Sequence, residues 1–155
     1  MAYTIIFPHH LEIDGVPLST PAWEHLNLQL LYSLASTRGE NRVMPGAAGR
    51  RALPWRADET MRTLTMIVTG NHHWDGTANA DPIAGLWANV AHLVTNVGGY
   101  PATPDGTRTA VIKRPGAPDR VATIQVRGFE VTEDQYSPAA VGLSIDIAVL
   151  DGAFA

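Results

Sequence analysis

Residues 141–150 read VGLSIDIAVL. Val141, Leu143, Ile145, Ile147 and Val149 fall on one side of an extended chain, and Ser144, Asp146 and Ala148 on the other. A period of two, rich in branched aliphatic side chains, is the signature of a half-buried strand. Moving toward the N-terminus, residues 120–131 repeat it, with Val121, Thr123, Gln125 and Arg127 opposing Ala122, Ile124 and Val126. The five residues PGAPD at 115–119 separate that run from another extended stretch at 108–114, which predicts a hairpin. Residues 61–69 alternate as well, and Arg62, Leu64, Met66 and Val68 form the predicted inward face.

One helix interrupts these strands. Asp81 is placed to cap it and Pro82 to open it, where a missing N–H costs nothing. Ile83, Leu86, Trp87, Val90, Leu93, Val94 and Val97 follow at helical spacing, and Gly98 and Gly99 supply the stop. The spacing predicts a helix over 82–97 with Leu86 and Trp87 packed against the sheet. Near the start, Ile5 and Phe7, then Leu11 and Ile13, alternate up to Asp14 and Gly15, with Val16 and Leu18 beyond. That predicts a hairpin over 4–18 with a tight turn. Residues 26–34 read as a further strand, with Leu26, Leu28, Leu30, Tyr32 and Leu34 on one side.

Six or seven strands joined by hairpins, plus one helix, predict a mainly β fold: a β-sandwich or partly open barrel flanked by the helix. The 155 residues read as a single domain without an internal repeat, long enough to bury a core. Charged residues are 17% of the chain, below the usual level of about a quarter, which suits a surface partly covered by neighbours. The net charge of −4 argues against a general nucleic-acid binder. No apolar run reaches the length of a membrane-spanning helix, so no membrane insertion is expected. The opening MAYTIIFPHHLEID lacks the basic start of a secretory signal.

Residues 36–60 break the periodicity. They hold five arginines, three glycines and two prolines and follow no regular period. Loops of this length are functional or disordered. Between residues 38 and 56 the five arginines face a single acid, Glu40, and Leu53 and Trp55 sit among them. Arginine and tryptophan are favoured anchors at protein interfaces, so Arg38, Arg42, Arg50, Arg51, Trp55 and Arg56 are the candidate subunit-contact residues. A solvated loop and a nucleic-acid contact are the other readings of this stretch.

Signatures of catalysis are few. With no cysteine, thiol chemistry, disulfides and cysteine-ligated metals are excluded. Lys113 is the only lysine, and neither a phosphate-binding loop nor a G-x-S-x-G elbow occurs. The pairs His9-His10 and His72-His73 lie near Glu12, Asp14 and Asp75. Adjacent strand residues point to opposite faces, so a surface or interface role is the plainer reading, and no metal or cofactor is expected. Two alternatives stay open: a metal-dependent enzyme using His72, His73 and Asp75, and a carbohydrate- or host-surface-binding module stacking ligands on Trp23, Trp55, Trp74 and Tyr100.

The stretches LEIDGVPLSTPAWEHLNLQLL (11–31), RGENRVMPGAAGRRALPWRADET (38–60), RTLTMIVTG (62–70) and GLWANVAHL (85–93) together resemble minor tail proteins of long-tailed phages of actinobacteria. More broadly, the chain is similar to the N-terminal domain of the phage distal tail protein and to the related tail tube protein. The resemblance implies a tail-tube-like β-sandwich with a flanking helix and no enzymatic activity. It implies a ring, commonly of six copies, in the virion tail, assembled in the host cytoplasm. The ring would join the tail tube protein to tail tip or baseplate proteins, with the tape measure protein and passing DNA inside it. Strands among 26–34, 61–69 and 141–150 would line the channel, and the loop at 38–56 would reach a neighbouring subunit or ring. A major tail tube protein is the alternative within the same resemblance. Such a ring needs sheet edges free to pair with a copy, and a negative charge suits a conduit for DNA.

Overall fold

A computed structural model describes residues 3–28, 37–38, 41–43, 50–52, 56–57, 60–99, 105–133, 137–151 and 154. The elements are β1 (His10–Ile13), β2 (Val16–Pro17), β3 (Trp23–His25), β4 (Thr37–Arg38), β5 (Asn41–Val43), β6 (Arg50–Ala52), β7 (Arg56–Ala57), β8 (Thr60–Thr69), α1 (Pro82–Leu93), β9 (Arg108–Lys113), β10 (Arg120–Glu133) and β11 (Ala140–Val149). The protein is mainly β with, among the described residues, a single α-helix, which continues through one π-helical turn at Val94–Gly98.

Seven strands form one antiparallel sheet in the order β2-β1-β9-β10-β11-β8-β3. Its broad centre is β8, β11 and the first-predicted hairpin partner β10. The nominal edges, β2 and β3, do not end the ladder. Leu18 donates its N–H to the Leu11 carbonyl at 2.8 Å and accepts from the His25 N–H at 3.1 Å. Ser19 bridges Glu24 beside it. The chain following β2 therefore lies between β1 and β3, and the sheet curls round until its two borders meet at Leu18. The free edges expected at those borders are thus spent inside the fold. Among the described residues, main-chain edges without a partner strand remain on β10 past Ile124, where its pairing with β9 stops, and on β8 before Met66, where its pairing with β3 stops.

Inside the curl, Leu11, Ile13, Leu18, Trp23, Leu64, Met66, Ile112, Ile124, Ile145 and Ile147 are all at most 1% exposed. The inward sets expected for residues 61–69 and 141–150 hold except at Arg62, which is only half-buried because its guanidinium stays with water, and Ala148 is buried as well. The turn at Asp14 and Gly15 is as expected, with φ values of +49° and +81°. Ile5 and Phe7, expected in that hairpin, lie outside any strand and are exposed. The strand expected at 26–34 is displaced. The ladder is made by Trp23, Glu24 and His25, Leu26 is exposed, Leu28 is buried, and residues 29–34 lie outside the described residues.

The helix starts as its sequence dictates. The Asp81 carboxylate accepts from the Ile83 and Ala84 N–H groups, and Pro82 occupies the first turn. It packs closely on the end of β8, where Gly70 and Gly85 meet. A Cβ on Gly70 would stand 1.7 Å from the Pro82 carbonyl oxygen, and one on Gly85 would stand 2.6 Å from the Gly70 oxygen. Asn89 then donates to the Thr69 and His72 carbonyls, ending β8. Leu86, Val90, Leu93 and Val97 enter the core. Ile83, Trp87 and Val94 do not, with exposures of 51%, 46% and 42%. The placement of Trp87 against the sheet is therefore corrected: the apolar stripe is wider than the face the barrel covers.

Candidate subunit interfaces

The arginine-rich excursion is more regular than its sequence suggests. Strand β4 pairs with β7, and β5 with β6, so the described parts of this arm are two short antiparallel ladders. Its register places Arg38 opposite Arg56 and Arg42 opposite Arg51, with Arg50 opposite Val43. Like charges directly across a ladder are destabilising unless something neutralises them. Within residues 38–56 the net charge is +4, from five arginines and Glu40. The remaining six bases and fourteen acids give the rest of the chain −8. Of the six candidate contact residues, five occupy these short strands, and Trp55 lies outside the described residues.

A second surface is the outward face of β10, β11 and β8. Three cross-strand rows run Gly128–Asp146–Thr63, Glu130–Ser144–Thr65 and Thr132–Gly142–Ile67, and Glu24 on β3 extends the third. These rows hold small and hydroxyl side chains, three carboxylates, the half-exposed Ile67 and no base. Asp146 accepts from the Thr63 hydroxyl at 2.7 Å. Gly128, beside a bulge in β10, leaves room for that carboxylate, since a Cβ there would stand 2.5 Å from its Oδ2. Burial raises the Glu24 carboxyl above its ordinary range, opposed by a hydrogen bond from Ser19 and by nearby His10.

Trp23, Trp74 and His92 pack together, and His10 is buried, whereas His9, His72 and Trp87 are exposed. Trp23 is 1% and Trp74 7% exposed, so neither offers a stacking platform; Trp55 and Tyr100 lie outside the described residues. Trp74 stacks on His92, whose Nε2 lies 2.7 Å from the Tyr3 hydroxyl, and Trp23 stacks on the same imidazole. Burial, with His73 nearby, lowers the His92 pKa. His73 approaches Asp75 at 3.4 Å, while His72 bridges Ala78. The described residues contain no group of three or more His, Asp or Glu able to hold a metal ion. His10 is buried, with Nδ1 against the Phe7 and Pro8 carbonyls and Nε2 3.9 Å from Glu12.

An open cleft of about 280 Å³ lies beside the free part of the β10 edge, lined by Gly98, Gly99, Asp105, Gly106, Arg108, Gln125, Val126 and Arg127. Arg108 has little charge to offer a ligand there. Its guanidinium is committed to the Asp14 carboxylate at 2.7 Å, to the Asn96 carbonyl at 2.9 Å and to the Gly99 carbonyl.

No family model and no curated protein sequence matches this chain. Among solved structures, the fold is similar to the SPP1 Dit (gp 19.1) protein, described as a paradigm of the hub adsorption apparatus in phages infecting Gram-positive bacteria. The TM-score is 0.52 at 12% identity, over 92% of this chain and 50% of that one. The chain thus spans about half the length of the structure it matches, and the likeness is one of fold.

Proposed function

We propose that the protein is a structural subunit of a phage tail that works by closing with its own copies into a ring. The ring sits at the distal end, between the tail tube protein and the tip or baseplate proteins, and six copies is the number the resemblance favours. The observation that carries this reading is the arm at residues 37–57. A hairpin that sets Arg38 against Arg56 and Arg42 against Arg51 gains by meeting carboxylates, and the rest of each copy is rich in them. Arg50, Trp55 and the arginines already named are the contact residues assigned to that arm. The face bearing Glu24, Glu130 and Asp146 suits a channel wall past which DNA and the tape measure protein slide, since its carboxylates repel phosphate and its rows carry no base to hold it. The Dit-like fold supports the same reading.

Sedimentation and negative-stain imaging of the pure protein, with and without residues 38–56, test it. The intact chain is expected to form rings that dissociate as salt is raised, and the shortened chain to stay monomeric. Rings formed equally well by both would remove the arm from the interface. A monomeric intact chain at high concentration would remove the ring itself. Immunolabelling of whole particles separates a distal ring, marked once per tail, from a tube protein marked along its length.

A further inference from the structure

The helix is unusual for one that lies on a surface. Its twelve residues, PIAGLWANVAHL, include no Asp, Glu, Lys or Arg. Its polar side chains turn away from water: Asn89 is buried under the end of β8, and His92 stacks between tryptophans. What α1 shows to solvent is Ile83, Trp87 and, at the start of the π-turn that follows, Val94, with Ala84, Ala88 and Ala91 between them. A helix that is apolar all round is a buried helix, yet the barrel covers only one side of this one.

A second apolar surface lies on the same chain. Ile5, Ile6 and Phe7 are 45%, 47% and 54% exposed. The chain bends at Ile6 outside any strand, and the barrel buries none of the three. The segment is nonetheless held in place. Thr4 donates its N–H to the Trp74 carbonyl at 2.9 Å and its hydroxyl to the Asp75 carbonyl at 2.7 Å. The Ile6 N–H reaches the Ser19 carbonyl, and the Phe7 N–H the Ser19 hydroxyl. It is a fixed apolar rib, with its ordering entropy already lost on folding.

We propose that residues 5–7 of one copy seat on the outer face of α1 of a second copy, against Ile83, Trp87 and Val94. The proposal rests on the ring reading above and names a contact within it that the arm does not supply. Both surfaces are uncharged, so each matches the other and neither suits a phosphate backbone or an anionic membrane surface. The three half-exposed large side chains on each surface hold on the order of 250 Å² of apolar area, about a third of the roughly 800 Å² that a standard contact buries per partner, and so form its dry centre with the rest left to a polar rim. A helix-to-helix contact would leave residues 5–7 in water. The unlike pairing covers both surfaces on every copy, and unlike pairings are those that close into rings.

Phe7→Glu and Trp87→Glu variants test this, each first checked for an unchanged circular dichroism spectrum and melting temperature. Each alone is expected to weaken self-association by about thirtyfold or more, the effect of losing an interface hot spot. Mixing them leaves one intact junction, the unaltered helix of F7E with the unaltered rib of W87E. The mixture is therefore expected to give a one-to-one dimer that grows no further. A variant that associates like the wild type, or a mixture that stays monomeric, would overturn the pairing. If wild-type rings persist in both variants, this contact fails and the ring reading stands; if the wild type makes no ring, both fail. Should either glutamate unfold the chain, the absence of native cysteine allows a second route. Ile6→Cys and Val94→Cys proteins, mixed and oxidised, are expected to cross-link with each other in preference to themselves, and equal self-linking would overturn the proposal.

Discussion

Asp14 shows how much one side chain can tie together. It sits at φ +49°, a region that Asp and Asn tolerate better than most residues. One carboxylate oxygen accepts from the Thr109 N–H at 3.0 Å and the other from Arg108 at 2.7 Å. Arg108 carries the link onward to the Asn96 carbonyl at the end of the helix. Asp14→Ala is expected to cost about 2–3 kcal/mol in urea unfolding, because it strains the turn and leaves a buried guanidinium without its counter-charge. Asp14→Asn keeps the turn and an acceptor and is expected to cost about 1 kcal/mol. The turn itself is legible in the sequence, since Asp-Gly between alternating apolar runs has few other uses. The clasp is not, because its partner lies 94 residues away, and no local pattern marks which distant arginine a carboxylate will meet.

Among the elements, the helix shows both what spacing reveals and what it leaves hidden. Its cap and its first turn are written in Asp81 and Pro82. Its stripe is only half right, because period alone does not say how wide a face the sheet will cover. Gly70 and Gly85 look like ordinary breaks in their strand and helix, yet they set how closely the two approach. Gly70→Ala or Gly85→Ala is expected to cost more than about 3 kcal/mol, or to abolish cooperative thermal unfolding, since backbone must move to admit either methyl group. Gly116→Ala is the matched control. Its φ is +73° with open space around it, so only conformational strain of about 1 kcal/mol is expected. The arm defied its sequence for another reason. Its strands are two or three residues long, too short for a period-two pattern to emerge among arginines and glycines.

At the level of the whole molecule, the strands could be read one by one, but not their order. Nothing in residues 10–13 names 110–113 as partner, and nothing in 60–69 names 140–149. The charge balance of the folded state likewise depends on burial that emerges only on assembly of the core. His25, lowered first by burial and then by His10, and His92, lowered by burial and His73, both resist protonation in the native state. The unfolded chain takes up those protons near pH 6.5. Stability is therefore complete above that value, falls as pH drops below it, and levels off once the depressed native pKa values are passed. Glu24, raised by burial, acts in the opposite sense at lower pH, above the ordinary carboxylate range. Urea midpoints measured from pH 7.5 to 5 are expected to fall on acidification, and His25→Gln is expected to flatten the slope.

Leu18 works like the buckle of a hoop: one residue joins the first stave to the last. A proteolytic nick that frees the first 25 residues would strip the long stave ending at Lys113 and the one ending at Thr69 of their neighbours together. The remnant would carry two raw seams of opposite position on a single body, each ready to zip onto the next fragment, and such a body grows into open fibres when nothing turns the row back on itself.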